Sequence, residues 1–295
     1  MPEDFHYGGQ AVIEGVMMRG QRHLAMAVRC PNGEVVLTTR DLPSVYTGRI
    51  RKIPFIRGVI VLVEALVLGI QVLIESANAA LGEDNGKISG PLLWGTLIAS
   101  LGFTVGLFFL TPMFLTKFII DPHIGDSSIL SNLVEGVIRI GIFVIYLALI
   151  NLMPDIRNIF AYHGAEHKAV NAYEDKAPLE PVAVRKYSTA HVRCGTSFLF
   201  AVLIIAIIVF SLLGDLDLWL RIVSRIVLIP VIASLGYEFT RLSARFADNW
   251  LMRIFFSPGL LLQRLTTREP SDDKVEVAIS ALKGAIEADS RQTSG

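Results

Sequence analysis

Four apolar stretches, each long enough to cross a lipid bilayer, constrain the fold of this chain more than any other feature. They cover residues 92–120, 134–153, 197–213 and 222–240. A helix needs about 17–25 apolar residues to cross the bilayer core, where every backbone polar group must be hydrogen-bonded within the protein. A charged fraction of 18% agrees, because soluble domains have about 25%. The sequence therefore predicts a mainly α, polytopic membrane protein with about four transmembrane helices.

A fifth apolar stretch, residues 56–79, differs from the other four because polar side chains interrupt it at regular intervals. These are Arg57, Glu64, Gln71, Glu75 and Asn78. Their spacing places them in one narrow stripe on an otherwise apolar helix. We expect an amphipathic or re-entrant helix on the cytoplasmic side, because a fifth span would place the N-terminal cations outside.

Lysine and arginine are unevenly divided among the segments between the apolar stretches. Eight lie in residues 1–57, six in 154–196, five in 241–268, none in 121–132 and one, Arg221, in 214–221. Cytoplasmic segments of membrane proteins are rich in these cations. Both termini and residues 154–196 are therefore predicted to lie in the cytoplasm.

Composition and turn signals divide the chain into seven predicted segments. In order, these are an N-terminal cytoplasmic β-containing segment (1–52), the amphipathic helix with a linker (53–90), transmembrane helices one and two (91–153), a cytoplasmic histidine-containing segment (154–196), transmembrane helices three and four (197–240), a cytoplasmic amphipathic segment with a C-terminal helix (241–286) and a disordered tail (287–295). In the first segment, LAMAVRC and EVVLTTR flank Pro31-Asn32-Gly33, which predicts a β-hairpin. The cytoplasmic portion is thus expected to be small and α+β.

The candidate chemistry follows the second predicted span, where AYHGAEH has the spacing H-x-x-E-H. On a helix, His163 and His167 lie four residues apart on one face, with Glu166 beside them. Two histidines and a carboxylate on one face can hold a divalent metal, zinc above all, next to a group that accepts a proton. The pattern predicts a metal site with Glu166 as general base, and the same spacing occurs in inverted zinc proteases.

A third ligand is expected from the sequence HVRCGTSF. The intervening Asp175, Pro178 and Pro181 favour a turn that returns His191, with Cys194 nearby, to the H-x-x-E-H helix. Glu174 lies on the same helical face but about 10 Å further along, so it is a poorer ligand. We predict His163, His167 and His191 as the metal ligands.

Each of these residues also has an ordinary structural interpretation. The two helical histidines can bind headgroups or backbone, Glu166 can pair with a lysine, and Cys194 can be a small packing residue. The glycine-rich sequence GGQAVIEGVMMRG, with Glu14 and Arg19 isolated among apolar neighbours, can line a site or form a tight turn packed on the core.

Four motifs together resemble one family. GGQAVIEGVMMRG, YHGAEHKAVNAYE, HVRCGTSF and QRLTTREP occur in the order seen in the bacterial membrane proteins of the domain of unknown function 1385 family (YqhQ-like). The resemblance implies a metal-dependent enzyme of the bacterial inner membrane. It also implies site positions, namely Gly9, Gln10, Glu14, Arg19, His163, Glu166, His167, Glu174, His191, Arg193 and Cys194. Val192 departs from the motif, in which proline is common.

Two classes of function follow from these observations. The first is an integral membrane metal-dependent enzyme, most plausibly a hydrolase, whose lipid or membrane-associated substrate approaches at the cytoplasmic leaflet. The second is a non-enzymatic assembly factor or transporter in which the histidines and Glu166 are structural. Membrane lipids are the expected partners. Cations and anions are equal in number, 27 each, so the whole-chain charge says nothing about a nucleic-acid partner, and no other feature indicates one. The sequence contains no G-x-S-x-G motif for serine-esterase chemistry.

Overall fold

A computed structural model of the chain describes residues 5–81, 90–124, 128–214, 216–245 and 250–293. Its N-terminal part is a four-stranded antiparallel sheet in which the strands are neighbours in chain order. The strands are β1 (Gly8–Val12), β2 (Gly15–Arg19), β3 (His23–Arg29) and β4 (Val35–Asp41). The predicted hairpin is confirmed as β3 and β4, with Gly33 at a φ of 86° in the turn.

The sequence did not predict the first hairpin. β1 and β2 pair through Ala11 opposite Val16, and Glu14 in the turn between them has a φ of 52°. GGQAVIEGVMMRG is therefore a pair of strands, where we expected a site-lining segment or a tight turn.

The rest of the described chain is mostly helical. The helices are α1 (Ser44–Thr47), α2 (Ile56–Leu81), α3 (Gly90–Val105), α4 (Thr111–Leu115), α5 (Asp121–Ile124), α6 (Ser128–Ile150), α7 (Pro154–Glu174), α8 (Pro181–Val184), α9 (Gly195–Leu212), α10 (Leu218–Val227), α11 (Ile229–Arg245), α12 (Trp250–Thr266) and α13 (Asp272–Thr293). Two π-helical segments, Gly106–Leu110 and Thr116–Ile120, join α3, α4 and α5 into one long rod. A short 3-10 helix, Arg49–Lys52, precedes α2.

Alternate residues of a strand point to opposite faces of the sheet, and in β2 and β3 both sets are apolar. Helices therefore cover both faces. Val16, Met18, Ala25 and Ala27 pack against α7 and α13, and Val12, Met17, Leu24, Met26 and Val28 pack against α2. The part of the protein around the sheet is thus three layers, with the sheet in the middle. This arrangement buries both faces of β2 and β3.

By length and composition, four helices of the described chain could cross a membrane. They are Ile56–Leu81, Gly90–His123, Ile129–Ile150 and Gly195–Leu212, and a fifth span is possible if the bent pair Trp219–Val227 and Ile229–Leu242 forms one. About four apolar helices were expected, and the described structure has them. The stretch predicted as an amphipathic or re-entrant helix is one continuous helix, α2, which is also long and apolar enough to span. The fourth predicted span, 222–240, is divided at Leu228, where the two helices meet at 43°.

The apolar helices α6, α9 and α11 pack together around Ala206, Phe210 and Ile232. Within them lies a buried set of charges, Glu135, Arg139 and Arg225, which we call the charge cluster. Glu135 accepts hydrogen bonds from Arg139 at 2.5 Å and from Arg225 at 3.2 Å. The pairing of Glu135 with Arg139 follows from their i, i+4 spacing, whereas Arg225 comes from a distant helix.

The C-terminus also differs from the expectation of a disordered tail over residues 287–295. α13 continues to Thr293, because Asp289 accepts hydrogen bonds from the backbone N–H groups of Gln21, Arg22 and His23. The end of the predicted linker, residues 82–89, and the last two residues of the predicted tail lie outside the described part of the chain.

Candidate metal centre

The H-x-x-E-H sequence lies in the middle of α7, as the spacing predicted. α7 begins with Pro154 at its first position and Asp155 in its first turn, both of which favour a helical N-terminus. The helix then packs Tyr162, Ala165 and Ala169 against the sheet and α13. This packing fixes the face on which the two histidines lie.

Three ligand atoms converge at this face, from His163, His167 and Cys194. Their ligand atoms all lie within 4.8 Å of one another, and the Cys194 Sγ is 3.4 Å from the His163 Nε2. We call these three residues the ligand triad. A tetrahedral zinc site with bonds of about 2.0–2.3 Å spaces its ligand atoms by about 3.3–3.8 Å, so small side-chain adjustments complete such a geometry.

Backbone carbonyl groups orient both imidazoles. The Nδ1 of His163 lies 2.7 Å from the Thr266 carbonyl oxygen, and the Nδ1 of His167 lies 2.6 Å from that of Thr189. Because a carbonyl oxygen only accepts, each Nδ1 carries a proton, so in the neutral ring the lone pair lies on Nε2. Metal-binding histidines have this second hydrogen bond in most known sites.

Cys194 reaches the site because it immediately precedes α9. It is the N-cap residue of that helix, and its sulfur accepts a hydrogen bond from the Thr196 backbone N–H at 3.3 Å. The sulfur therefore faces the positive end of the helix dipole on one side and His163 on the other. Cys194 has a defined position in the site, beyond the packing role that its sequence context also allowed.

Glu166 lies beside the ligand triad with one oxygen already held. Its Oε1 accepts the Gly9 backbone N–H at 3.0 Å, and its Oε2 lies 3.6 Å from the His167 Nε2 and 4.0 Å from the His163 Nε2. A Cβ at Gly9 would meet the Met17 carbonyl oxygen at 2.4 Å, so only glycine allows this approach. The sheet thus positions the carboxylate of the helix.

His191, predicted as the third ligand, lies close to the ligand triad but makes different contacts. Its ring centroid is 5.7 Å from that of His167, while its Nε2 is 3.4 Å from Glu174 Oε2. Glu174 also pairs with Arg193 and lies 3.8 Å from His6. Burial lowers the pKa of His191, an effect that the charge of Glu166 partly opposes, so the ring favours its neutral form.

The sequence QRLTTREP contributes residues that we did not predict. Gln263 accepts the His191 N–H and donates to the His191 carbonyl oxygen and the Ser197 hydroxyl, at 2.8–2.9 Å. Thr266 supplies the carbonyl group that orients His163. A single glutamine within the apolar run LLLQRL was the available signal for Gln263, whereas a backbone carbonyl such as that of Thr266 leaves no signal in a sequence.

Gly164 explains why this segment lies so close to the histidines. A Cβ at Gly164 would be 2.1 Å from the Arg268 carbonyl oxygen, and the Arg268 N–H donates to the Phe160 carbonyl oxygen at 2.9 Å. The missing side chain lets the segment after α12 run along α7. The carbonyl of Thr266 is thereby brought to His163.

The remaining predicted site residues lie elsewhere around the sheet. Gln10 lies against Gly69 of α2, and Glu14 accepts hydrogen bonds from Asn158 and Tyr162 near the start of α7. Arg19 pairs with the buried Glu64 of α2 at 3.0 Å. These side chains join the sheet to its neighbouring helices and make no contact with the ligand triad in the described structure.

Comparisons with known proteins place the chain in a family. A family described as "Protein of unknown function (DUF1385)" matches residues 53–288. The chain belongs to the DUF1385 family. The uncharacterized protein YqhQ of Bacillus subtilis (strain 168) is 33% identical over 291 residues, which is 93% of this chain and 90% of that protein. No solved structure matches the chain.

The DUF1385 match includes α7, Cys194 and the segment after α12, so all three ligand-triad residues lie within the matched part. The donor set itself fits zinc, since imidazole nitrogen, thiolate sulfur and carboxylate oxygen are its usual ligands. Hard cations such as Mg²⁺ prefer oxygen ligands and fit this set poorly.

Proposed function

We propose that this protein is an integral membrane metal-dependent enzyme, most plausibly a hydrolase, whose metal is held by His163, His167 and Cys194. One observation carries the proposal. The Nε2 atoms of two oriented histidines and the sulfur of Cys194 converge beside a carboxylate that is itself held in position. Imidazole nitrogen and cysteine sulfur gathered in this way are the usual ligand atoms of zinc.

Each residue has a distinct role in this proposal. A zinc-type ion in such a site supplies Lewis acidity and lowers the pKa of a bound water. Glu166 is the proton acceptor, because Gly9 holds its Oε1 while its Oε2 remains next to the two histidines. Thr266 and Thr189 keep the ligands in the correct tautomer. We assign His191, fixed by Gln263, to the wall of the site.

We propose that the site lies at the cytoplasmic face of the bacterial inner membrane, with both termini in the cytoplasm. The distribution of lysine and arginine supports this orientation. The packing of α2 supports it independently. Leu68 and Val72 of α2 pack on the sheet, and Glu64 is buried with Arg19 and Arg51. If α2 crossed the bilayer, it would bring the sheet into the lipid.

The opposite face of α2 is apolar and exposed, which suits a helix lying on the membrane surface. Its exposed side chains are Val63, Leu66, Val67, Ile70 and Leu73. They recur every three or four residues and so form one stripe. Protease access to an N-terminal tag in inverted vesicles tests this placement, and protection of the tag would contradict it.

Metal content of the purified full-length chain tests the proposal directly. We expect about one zinc per native chain and less than about a tenth of that in the double variant His163→Ala, His167→Ala, because two of three protein ligands are removed. The matched control is His123→Ala, whose imidazole bonds only to the Ile119 carbonyl oxygen within the described structure. Absence of metal from the native chain would refute the proposal.

A structural metal in a non-enzymatic protein is the second candidate, and burial favours it. Glu166, His167 and Cys194 are each at most 5% exposed, as in closed structural sites. His163, whose side chain is 18% exposed, is the open side of the ligand triad. Cobalt substitution separates the two candidates. Azide should shift the visible spectrum of the cobalt protein if a coordination position is open, and should leave it unchanged if the site is closed.

A further inference from the structure

Two arginines are held by a single residue at the end of a candidate span. Asn151 directly follows α6, which ends at Ile150. The Nε of Arg157 donates to the Asn151 backbone carbonyl oxygen at 2.9 Å, and the Nε of Arg268 donates to the Asn151 Oδ1 at 3.1 Å. We call Asn151, Arg157 and Arg268 the arginine clamp.

The clamp presents positive charge at the protein surface. Both arginines are exposed, and no carboxylate among the described residues forms an ion pair with either of them. Because each Nε is already used, the Nη groups of both guanidinium groups remain available. Guanidinium groups held through one residue in this way can both donate to the oxygens of a phosphate group.

The surroundings of the clamp are those of a headgroup region. Leu152 and Met153, next to Asn151, are 64% and 52% exposed. Large exposed apolar side chains beside arginines at the end of an apolar helix are typical of the membrane interface. A ligand that satisfies both features has an anionic head and an apolar tail.

The clamp is also joined directly to the candidate metal centre. The backbone of Arg268 bonds to Phe160, three residues before His163, and its carbonyl oxygen lies against Gly164. Thr266, two residues before Arg268, orients the His163 ring. The clamp and the least buried member of the ligand triad, His163, are therefore joined through one short backbone segment.

We propose that the arginine clamp binds the phosphate of an anionic lipid, and that such a lipid is the substrate class of the metal centre. The second half of this statement rests on the proposed function, whereas the first half does not. Phosphate recognition is the shared chemistry of a lipid headgroup and of a soluble phosphate compound. The position of the clamp, next to exposed Leu152 and Met153 at the end of α6, favours the lipid.

Lipid binding by the full-length chain in detergent tests the proposal. Native mass spectrometry measures the retention of phosphatidylglycerol, with phosphatidylcholine and glycerol 3-phosphate as comparison ligands. For Arg157→Gln, Arg268→Gln we expect about thirty-fold weaker binding of phosphatidylglycerol, the factor that two arginines contribute at an anionic headgroup surface. The matched control, Lys186→Gln, Lys283→Gln, removes the same charge from exposed positions elsewhere and should retain native affinity.

A second variant tests whether lipid binding depends on the geometry of the two arginines or only on their charge. Arg157→Lys, Arg268→Lys keeps both charges but loses the Nε contacts to Asn151, so we expect it to recover less than half of the lost binding free energy. Equal losses in the clamp and control variants would overturn the proposal, as would native affinity in the clamp variant. Binding of glycerol 3-phosphate as tight as that of phosphatidylglycerol would overturn the assignment to a lipid.

Metal content of the clamp variant keeps the two proposals apart. Arg157 and Arg268 supply no ligand atom, so zinc content should equal that of the native chain. If the native chain holds no zinc but the clamp variant loses lipid binding, the enzyme proposal fails and the lipid site stands. If the native chain holds zinc but the clamp variant binds lipid as tightly as the native chain, the lipid-site proposal fails and the metal-site proposal stands.

Discussion

The ligand triad and the charge cluster are both buried polar groups, but their chemistry differs. In the charge cluster, Glu135 accepts from Arg139 and Arg225, so charges of opposite sign are paired inside the protein. In the ligand triad, the atoms that converge are all electron-pair donors. A set of the first kind can be complete in itself. A set of the second kind offers a cation three ligand atoms, and this contrast is why we propose the triad as the functional site.

The largest effect on stability is expected from Glu135→Ala. This change leaves two buried guanidinium groups without their carboxylate, and losing one partner of a buried ion pair costs about 3–5 kcal/mol. Unfolding in detergent should show this loss, while the zinc content of the folded fraction stays native. Glu287→Ala, which removes an exposed carboxylate, is the control and should change stability by less than about 0.5 kcal/mol. Equal stability of the two variants would show that the charge cluster is not paired as described.

Removing the metal with a chelator should lower the free energy of unfolding by an amount comparable to, or slightly smaller than, the loss in Glu135→Ala. This effect should require the ligand triad. A metal present at about a thousand times its Kd stabilises the folded chain by about 4 kcal/mol, so EDTA should lower the unfolding temperature of the native protein. The variant His163→Ala, His167→Ala should show no EDTA effect, whereas Glu135→Ala should show the native one. An EDTA effect that survives loss of both histidines would place the metal elsewhere.

Gly164→Ala tests whether the segment after α12 positions the ligand triad. The new Cβ would displace the Arg268 carbonyl group, and overpacking of this kind costs about 1–3 kcal/mol. Because the shift also moves the Thr266 carbonyl away from His163, we expect zinc affinity to fall about 10–100-fold. Gly141→Ala is the control, since a Cβ there meets no atom within 4 Å. Native zinc affinity in Gly164→Ala would contradict this dependence.

The smallest expected effect on stability is that of Asp289, another polar group whose partners lie within the chain. Burial opposes its ionisation, but hydrogen bonds from His23 and from the N–H groups of Arg22 and Gln21 outweigh burial and lower its pKa. A carboxyl group with a lowered pKa stabilises the fold above its ordinary pKa, and the stability is lost as the pH falls below about 4. Asp289→Asn should therefore flatten the loss of stability between pH 5 and pH 3 in acid titrations. An unchanged slope would count against this role.

Much of the fold could be predicted because it depends on local patterns. Apolar length predicted the candidate spans, and Gly33 predicted the turn of the second hairpin. The first hairpin was missed because Val16, Met17 and Met18 are all buried, on alternate faces of a sheet covered on both sides. Such a strand lacks the alternation of polar and apolar residues that identifies a half-exposed one.

The candidate site divides in the same way. His163, Glu166 and His167 could be placed together from their spacing on one helix. Cys194 was placed near them, but its position as a converging ligand atom depends on the path of the chain between α7 and α9. That path is set by contacts such as Gln263 with His191, which join residues 72 positions apart. Spacing within a short motif carries no information about such contacts.

The sequence by itself determined that the chain has helices able to cross a membrane and that two histidines and a glutamate share one helical face. Both properties depend on residues within a single continuous helix. Only the tertiary structure decided that Cys194 joins the histidines, that carbonyl groups of Thr189 and Thr266 orient the rings, and that Gly9 holds Glu166. The reason is physical, because these contacts join segments far apart in the chain, and packing of the whole fold determines which backbone atoms meet there.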